Sequence, residues 1–428
     1  MTTPRGKGPP RRPPSTRAQR PQTSSALPTS AGLRRGQVRI APEAVIRVRA
    51  GHPWVFKDAL GGRALHDAPG THVDVLDPQG RFVARALVDN AGAIALRVLG
   101  RTPGLEVDPP YLHGLVRRAR TLRGALLPPD VDAYRLLAGD SEGLPGVTVD
   151  RYADYVIVTA LSDAIVPHLD LVHDALFELL SPAAIYEQRR LRPMAGEGPP
   201  EPAALVRGKA APTEVVVREG KVRFAVDPTA PLHVGMFPDL REGRALVGAR
   251  AAGRRVLNLF SYSGGFSLHA LAGGASQVVA VDLAAKAHAK SRRNLELSGL
   301  DPERVEHLAG DVFPALARMA ERGRSFDLVV CDPPSFSQQK GTSFVATRDW
   351  AELVATISPV LAPGGLLVAC SNTAKLALPD LERAIGEGAQ RAGADLVVVG
   401  RAGLPPDFAL APAFTEGAYL KVVLLYRR

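Results

Sequence analysis

Residues 329–340 read VVCDPPSFSQQK. An apolar run without polar alternation drives straight into Asp332-Pro333-Pro334. Proline lacks the amide N–H that a sheet ladder needs, so the strand ends at the acid. A pair of prolines fixes the backbone where the strand leaves the sheet. That corner therefore reads as a place where geometry has to be held.

Working outward, the same strand type recurs from about residue 231. RRVLNLF (254–260), QVVAVD (277–282), VEHLAGD (305–311), FDLVVCD (326–332) and GGLLVACS (364–371) are short apolar strands. DLVVVG (395–400) and YLKVVLLYR (419–427) complete the set. Helical segments separate the earlier ones, such as AAKAHAKSRRNLELSG (284–299) and LPDLERAIGEGAQRAG (378–393). Strands buried on both faces and alternating with helices predict a parallel α/β sheet. The last two strands lack a helix between them, which predicts an antiparallel edge.

Open α/β sheets bind ligands beyond the carboxyl ends of their strands. The first strand runs into FSYSGGFSLHAL (260–271), where Phe260, Ser261 and Gly264 precede a helix and glycine permits a tight turn. It does not match the GxGxxG dinucleotide fingerprint. Asp282 ends the second strand, 18 residues after Gly264, and can accept hydrogen bonds from ribose hydroxyls. Asp311 ends the third and faces where an adenine amine would lie. Asp332 ends the fourth. An aspartate at a strand end is by itself often only a turn or cap residue. Four consecutive strand ends in one sheet describe a nucleoside pocket, with Asp332, Pro333 and Phe336 around a planar target. An extruded base stacked on an aromatic suits such a corner.

The rest of the chain reads as two further units. Residues 37–105 predict a small β domain, with a hairpin around Pro78-Gln79-Gly80. Residues 106–220 predict a mixed α+β domain: a helix at 110–127, two strands joined near Ala153, a helix at 165–180 and a loop over 193–213. The third domain is 221–428. TEVVVREGKVRFAVD (213–227) is a hairpin turning at Glu219-Gly220. Residues 1–36 carry eight cations and no acid within a net charge of +10. Such a tail is expected to be disordered and to suit a polyanion such as RNA, or only to solubilise. The chain has two cysteines, Cys331 and Cys370, too few for a disulfide framework. This predicts a cytoplasmic setting, and no metal site or membrane span is expected.

Together, NLFSYSGGFS, VVAVD, GD and DPPSF resemble the class I S-adenosylmethionine-dependent methyltransferases. GHPWVF (51–56), GDSEGLPGVTVDRY (139–152) and GMFPDLREGR (235–244) extend the likeness. They resemble the bacterial methyltransferases that modify cytosine C5 in large-subunit ribosomal RNA, with an N-terminal PUA RNA-binding domain. The resemblance implies a Rossmann-like catalytic domain, S-adenosyl-L-methionine as cofactor and 23S ribosomal RNA, free or in an assembly intermediate, as partner. A second copy of the chain is a further candidate partner. It also implies that Phe237, Asp239 and Arg241 lie near the cofactor.

In that family a cysteine after the fifth strand attacks C6 of cytosine, because C5 alone is a poor nucleophile. Here the corresponding position is Asn372, with Cys370 two residues earlier. His233 stands where the family tends to have lysine. An asparagine in that place resembles methyltransferases of guanine N7. Three readings follow: cytosine C5 methylation through Cys370, methylation of a base nitrogen without a covalent step, or an RNA-binding factor without turnover. Both cysteines are expected to be buried. His269 is expected to pack on its helix, and Trp54 in the small β domain or against a base. Lys340, Arg348 and Lys375 are candidates for phosphate contact.

Overall fold

The computed structural model describes residues 33–428 apart from 90–91, 192–200 and 340–341; side chains of 336–344 lie outside that description. Lys340 and the basic tail up to residue 32 therefore fall outside the described residues.

Alternating burial builds the first sheet. Its strands run in the order Gln37–Arg39, His72–Leu76, Phe82–Val88, Ile94–Gly100, Trp54–Phe56. The sequence predicts short β pieces over 37–56, whereas Pro42–Ala50 is a helix. Pro42 fits the first helical turn, and Ala44, Val45 and Val48 bury one face at helical spacing. Gly51, at φ 112°, ends it.

The second sheet runs Ala204–Gly208, Ala184–Arg189, Tyr155–Ala160, Val147–Tyr152, Ala133–Leu137. Helices Pro109–Leu126 and Leu169–Leu180 share a core with it. The loop expected over 193–213 contains the strand Ala204–Gly208, which pairs antiparallel with Ala184–Arg189. This edge strand buries little, so backbone pairing rather than an apolar pattern holds it. The hairpin Val215–Glu219/Val222–Val226 crosses the expected boundary at 220, which would cut it in two. Its inward side chains Val217 and Phe224 join a core that the second and third domains share. Its edge is pinned where the Ala225 amide donates to Asn294 Oδ1 at 2.8 Å.

In the third domain we label the strands β1 (Arg255–Leu259), β2 (Gln277–Asp282), β3 (Val305–Ala309), β4 (Phe326–Cys331), β5 (Leu361–Ser371), β6 (Leu396–Ala402) and β7 (Lys421–Arg427). Their order is β3-β2-β1-β4-β5-β7-β6. The first five are parallel; β7 is antiparallel to both β5 and β6 and lies between them. So the antiparallel strand is internal, and β6 forms the sheet edge on that side, opposite β3. Successive residues feed opposite cores, as the pleat requires. Val330, Val368 and Cys370 face one core, and Val329, Cys331 and Ala369 face the other.

The three domains meet at Trp54. Its indole N–H donates to Asp140 Oδ1 at 2.9 Å, and its ring lies 4.6 Å from Phe414. Arg97 bridges Asp140 and Asp89 beside it. Trp54 is thus an interdomain joint, neither a domain-core residue nor a free stacking platform. The loop between β6 and β7 also supplies Asp407, fully buried, which pairs with Arg241 and accepts the Arg135 amide.

Candidate active site

The loop after β1 is held in an uncommon backbone. Phe260 and Tyr262 adopt φ of 57° and 45°, left-handed values that non-glycine residues rarely take. Neighbouring strands hold the loop there. The Ser261 amide donates to Val281 O at 3.0 Å and the Tyr262 amide to Asp282 Oδ2 at 2.8 Å. The Ala284 amide takes Asp282 Oδ1 at 2.9 Å. Each oxygen of the Asp282 carboxylate is thereby aimed, with lone-pair capacity left for a ligand. At the tip of β3, Asp311 accepts from the Phe313 amide at 2.8 Å and caps the helix Val312–Glu321.

The Pro-Pro corner is tied to the tip of β5. Ser335 donates its hydroxyl to Asn372 Oδ1 at 2.8 Å, and Thr373 donates to Ser335 Oγ at 2.9 Å. Lys421 Nζ then donates to Thr373 O at 2.7 Å, adding the start of β7. Asp332 is half-buried at this corner. Burial, and then the nearby Asp239 carboxylate, push its carboxyl up to about 7, with Arg244 opposing.

These tips line one cleft of about 790 Å³, within the usual range for small-molecule sites. Phe237, Phe260, Ser261, Asp282, Asp311, Asp332, Pro333 and Asn372 all border it. The Phe237 ring lies 5.4 Å from Tyr262 and 4.8 Å from His233, giving an aromatic wall. Arg244, which also borders the cleft, makes a bidentate pair with Glu219 at 2.6 Å and donates to Phe237 O at 2.9 Å.

Comparison with known proteins decides what kind of cleft this is. Residues 142–427 match the S-adenosylmethionine-dependent methyltransferase family and residues 38–101 the PUA-like domain. Ribosomal RNA large subunit methyltransferase I of Cronobacter sakazakii is 32% identical over 371 residues, 86% of this chain and 94% of that protein. The enzyme of the same name from Aeromonas salmonicida is 32% identical over 378 residues, 88% and 96% respectively. The chain belongs to the ribosomal RNA large subunit methyltransferase I family. The fold agrees. A candidate SAM-dependent methyltransferase from Streptococcus mutans superposes with a TM-score of 0.81 at 23% identity, covering 91% of this chain and 99% of that one. A candidate methyltransferase complexed with SAH gives 0.83 at 24% identity, with the same coverage.

The cleft of this methyltransferase family member fits S-adenosylmethionine on its own chemistry. Asp282 presents a fixed carboxylate suited to ribose hydroxyls. Ser261 Oγ is buried and without a hydrogen-bond partner among the described residues, a donor available to a bound polar group.

Several expected site residues lie elsewhere. Gly264 starts the helix Gly265–Ala272 at φ 81°, and a side chain there would meet Ser291 Oγ at 2.2 Å. Helix packing explains that glycine; it does not border the cleft. Asp239 accepts from the Tyr419 hydroxyl at 2.9 Å, and Arg241 turns to Asp407; neither borders the cleft. Cys370 is 0% exposed in the core, and burial, then Asp332, raise its thiol well above the ordinary value. The Phe336 side chain lies outside the described residues. His269 sits 2.9 Å from Glu219, away from the cleft.

Sequence reasoning missed Tyr262, Leu283, Phe313 and Glu352, which also border the cleft. Two carried a usable signal. Leu283 and Phe313 follow the tip acids Asp282 and Asp311 within two residues, and Leu283 is a large apolar side chain left 56% exposed.

Proposed function

We propose that this chain methylates a nucleobase of 23S ribosomal RNA, in the cytoplasm, and that the accepting atom is a base nitrogen. One observation carries the reading: a single cleft runs from Asp282, suited to a nucleoside, to the Asp332-Pro333-Asn372 corner, suited to a planar base. The names of the 32%-identical relatives supply the RNA class, and the PUA-like match supports RNA binding. The two free cysteines suit a reducing compartment.

S-adenosylmethionine supplies a methyl group activated on a sulfonium. The chain's part is to hold the acceptor in line with that methyl and to exclude water. Asp282 and Asp311 are assigned to the cofactor, and Asp332, Pro333 and Asn372 to the base. An exocyclic amine would give up its proton to Asp332; a ring nitrogen would need only the alignment.

Cytosine C5, the atom implied by family likeness, would need a thiolate reaching C6. Cys370 is buried in the core, where burial raises its thiol well above the ordinary value, and Cys331 faces the opposite core. Asn372 occupies the cleft instead. Nitrogen acceptors carry their own lone pair and fit this arrangement.

The test is labelled methyl transfer from S-adenosylmethionine to 23S ribosomal RNA that has never met the enzyme. Saturable cofactor binding with incorporation of label supports the proposal. Binding without incorporation would favour an RNA-binding factor that has lost turnover.

A further inference from the structure

A second cavity, of about 540 Å³, adjoins the catalytic cleft. It lies between the helices Trp350–Ile357 and Leu378–Arg391, and the two cavities share Arg348, Asp349 and Glu352 as a common wall. Lys375 borders it, three residues beyond Asn372 at the base corner.

Its charges divide into those already satisfied and those left over. Arg348 is held by Asp349 at 2.5 Å, and Arg383 lies between Asp380 and Glu387 at 3.1 and 3.0 Å. Lys375 and Arg391 are exposed cations with no carboxylate partner among the described residues. Glu352 is exposed and makes no direct ion pair among the described residues, with the Arg348 guanidinium close enough to feel its charge. Two cations without a carboxylate partner beside one exposed carboxylate match a unit that carries both an anion and hydroxyls.

We propose that this cavity receives the ribose-phosphate of the nucleotide adjoining the methylated base. Lys375 and Arg391 meet the phosphate, and Glu352 accepts from a sugar hydroxyl, the group that marks RNA. The assignment rests on the RNA-methylating reading above. It adds where the strand lies once the base has left it.

The experiment compares the full-length protein with Lys375→Ala/Arg391→Ala in methylation of a ribosomal RNA fragment across a salt series. Both side chains are exposed, so the fold should tolerate their loss. The proposal expects KM for RNA to rise about tenfold. It also expects the slope of log KM against log salt to fall by roughly 1.4, about 0.7 for each cation taken away from the phosphate backbone. The dissociation constant for S-adenosylmethionine should stay within about twofold and reports an intact cleft. A variant with the parent's KM and slope would overturn the subsite while the parent's methylation still stood. Inorganic phosphate is tested against chloride at equal ionic strength. Phosphate inhibition that competes with RNA in the parent and is lost in the variant supports the subsite; phosphate inhibition that does not compete with RNA would make this a free-anion site and overturn the assignment to RNA.

Discussion

The Ser335 hydroxyl donates to Asn372 Oδ1 at 2.8 Å, joining the loop after β4 to the tip of β5. This bond answers why a buried strand should run into two prolines. The prolines fix the backbone, and the serine that follows latches the corner to its neighbour. Ser335→Ala removes the latch and leaves the Asp282 region untouched. Single-turnover methylation should slow about tenfold, while S-adenosylmethionine titrates with the parent's affinity. Loss of cofactor affinity would show instead that the corner organises the whole cleft.

Asp282 takes one backbone amide on each carboxylate oxygen, so its side chain is aimed before any ligand arrives. Asp282→Ala should weaken S-adenosylmethionine binding at least tenfold by calorimetric titration. It also frees the Tyr262 amide and relaxes a loop held at positive φ. Unchanged affinity would remove Asp282 from the cofactor site.

Cys370 contributes as a packed apolar group. Cys370→Ser should keep methylation within about twofold of the parent and cost roughly 1 kcal/mol of stability for a buried hydroxyl. No covalent complex should form with RNA containing 5-fluorocytidine. A trapped adduct that disappears in the Cys370→Ser variant would return the chain to cytosine C5 chemistry.

Burial and Asp239 push the Asp332 carboxyl up to about 7. For transfer to an amine, activity should rise with pH through a midpoint near 7 as Asp332 ionises. Asp239→Asn removes a nearby negative charge and should move that midpoint to lower pH. The sign for stability is the reverse of the usual carboxylate case. A carboxyl raised in the fold destabilises the native state progressively as pH climbs from its unfolded value near 4 through 7. Asp332→Asn should therefore melt higher than the parent at pH 8 and, for an amine acceptor, lose activity. A midpoint that does not respond to Asp239→Asn would separate the two acids.

Glu219 is 3% exposed and paired to Arg244 through both oxygens. Burial alone would raise its carboxyl, but Arg244, with His269 adding, overrides that and holds it at about 2. Its contribution is present above about pH 4.5 and is lost as pH falls from there towards 2. Glu219→Ala leaves Arg244 buried without its partner and should cost about 3–5 kcal/mol in denaturant unfolding. The Phe237 wall should loosen with it, since Arg244 also holds Phe237 O.

The catalytic sheet was legible because parallel strands announce themselves as apolar runs ending in an acid. Asp282, Asp311 and Asp332 fall at the tips of β2 and β4 and just past β3 for that reason. What the sequence hid was long-range. Arg241 turns from the cleft because Asp407, 166 residues later, lies buried beside it. Trp54 is an interdomain joint because Asp140 and Phe414 come from two other domains. The strand Ala204–Gly208 escaped because an exposed edge strand carries no apolar period. The helix Pro42–Ala50 hid in a β-rich domain because one short turn of valines fits either period.

Nucleoside analysis of 23S ribosomal RNA treated with the enzyme and S-adenosylmethionine tests the central claim most directly. After digestion, mass spectrometry should find one new methylated nucleoside with the methyl on a base nitrogen. Recovery of 5-methylcytidine, or of a methyl group on ribose, would contradict the cleft chemistry described above.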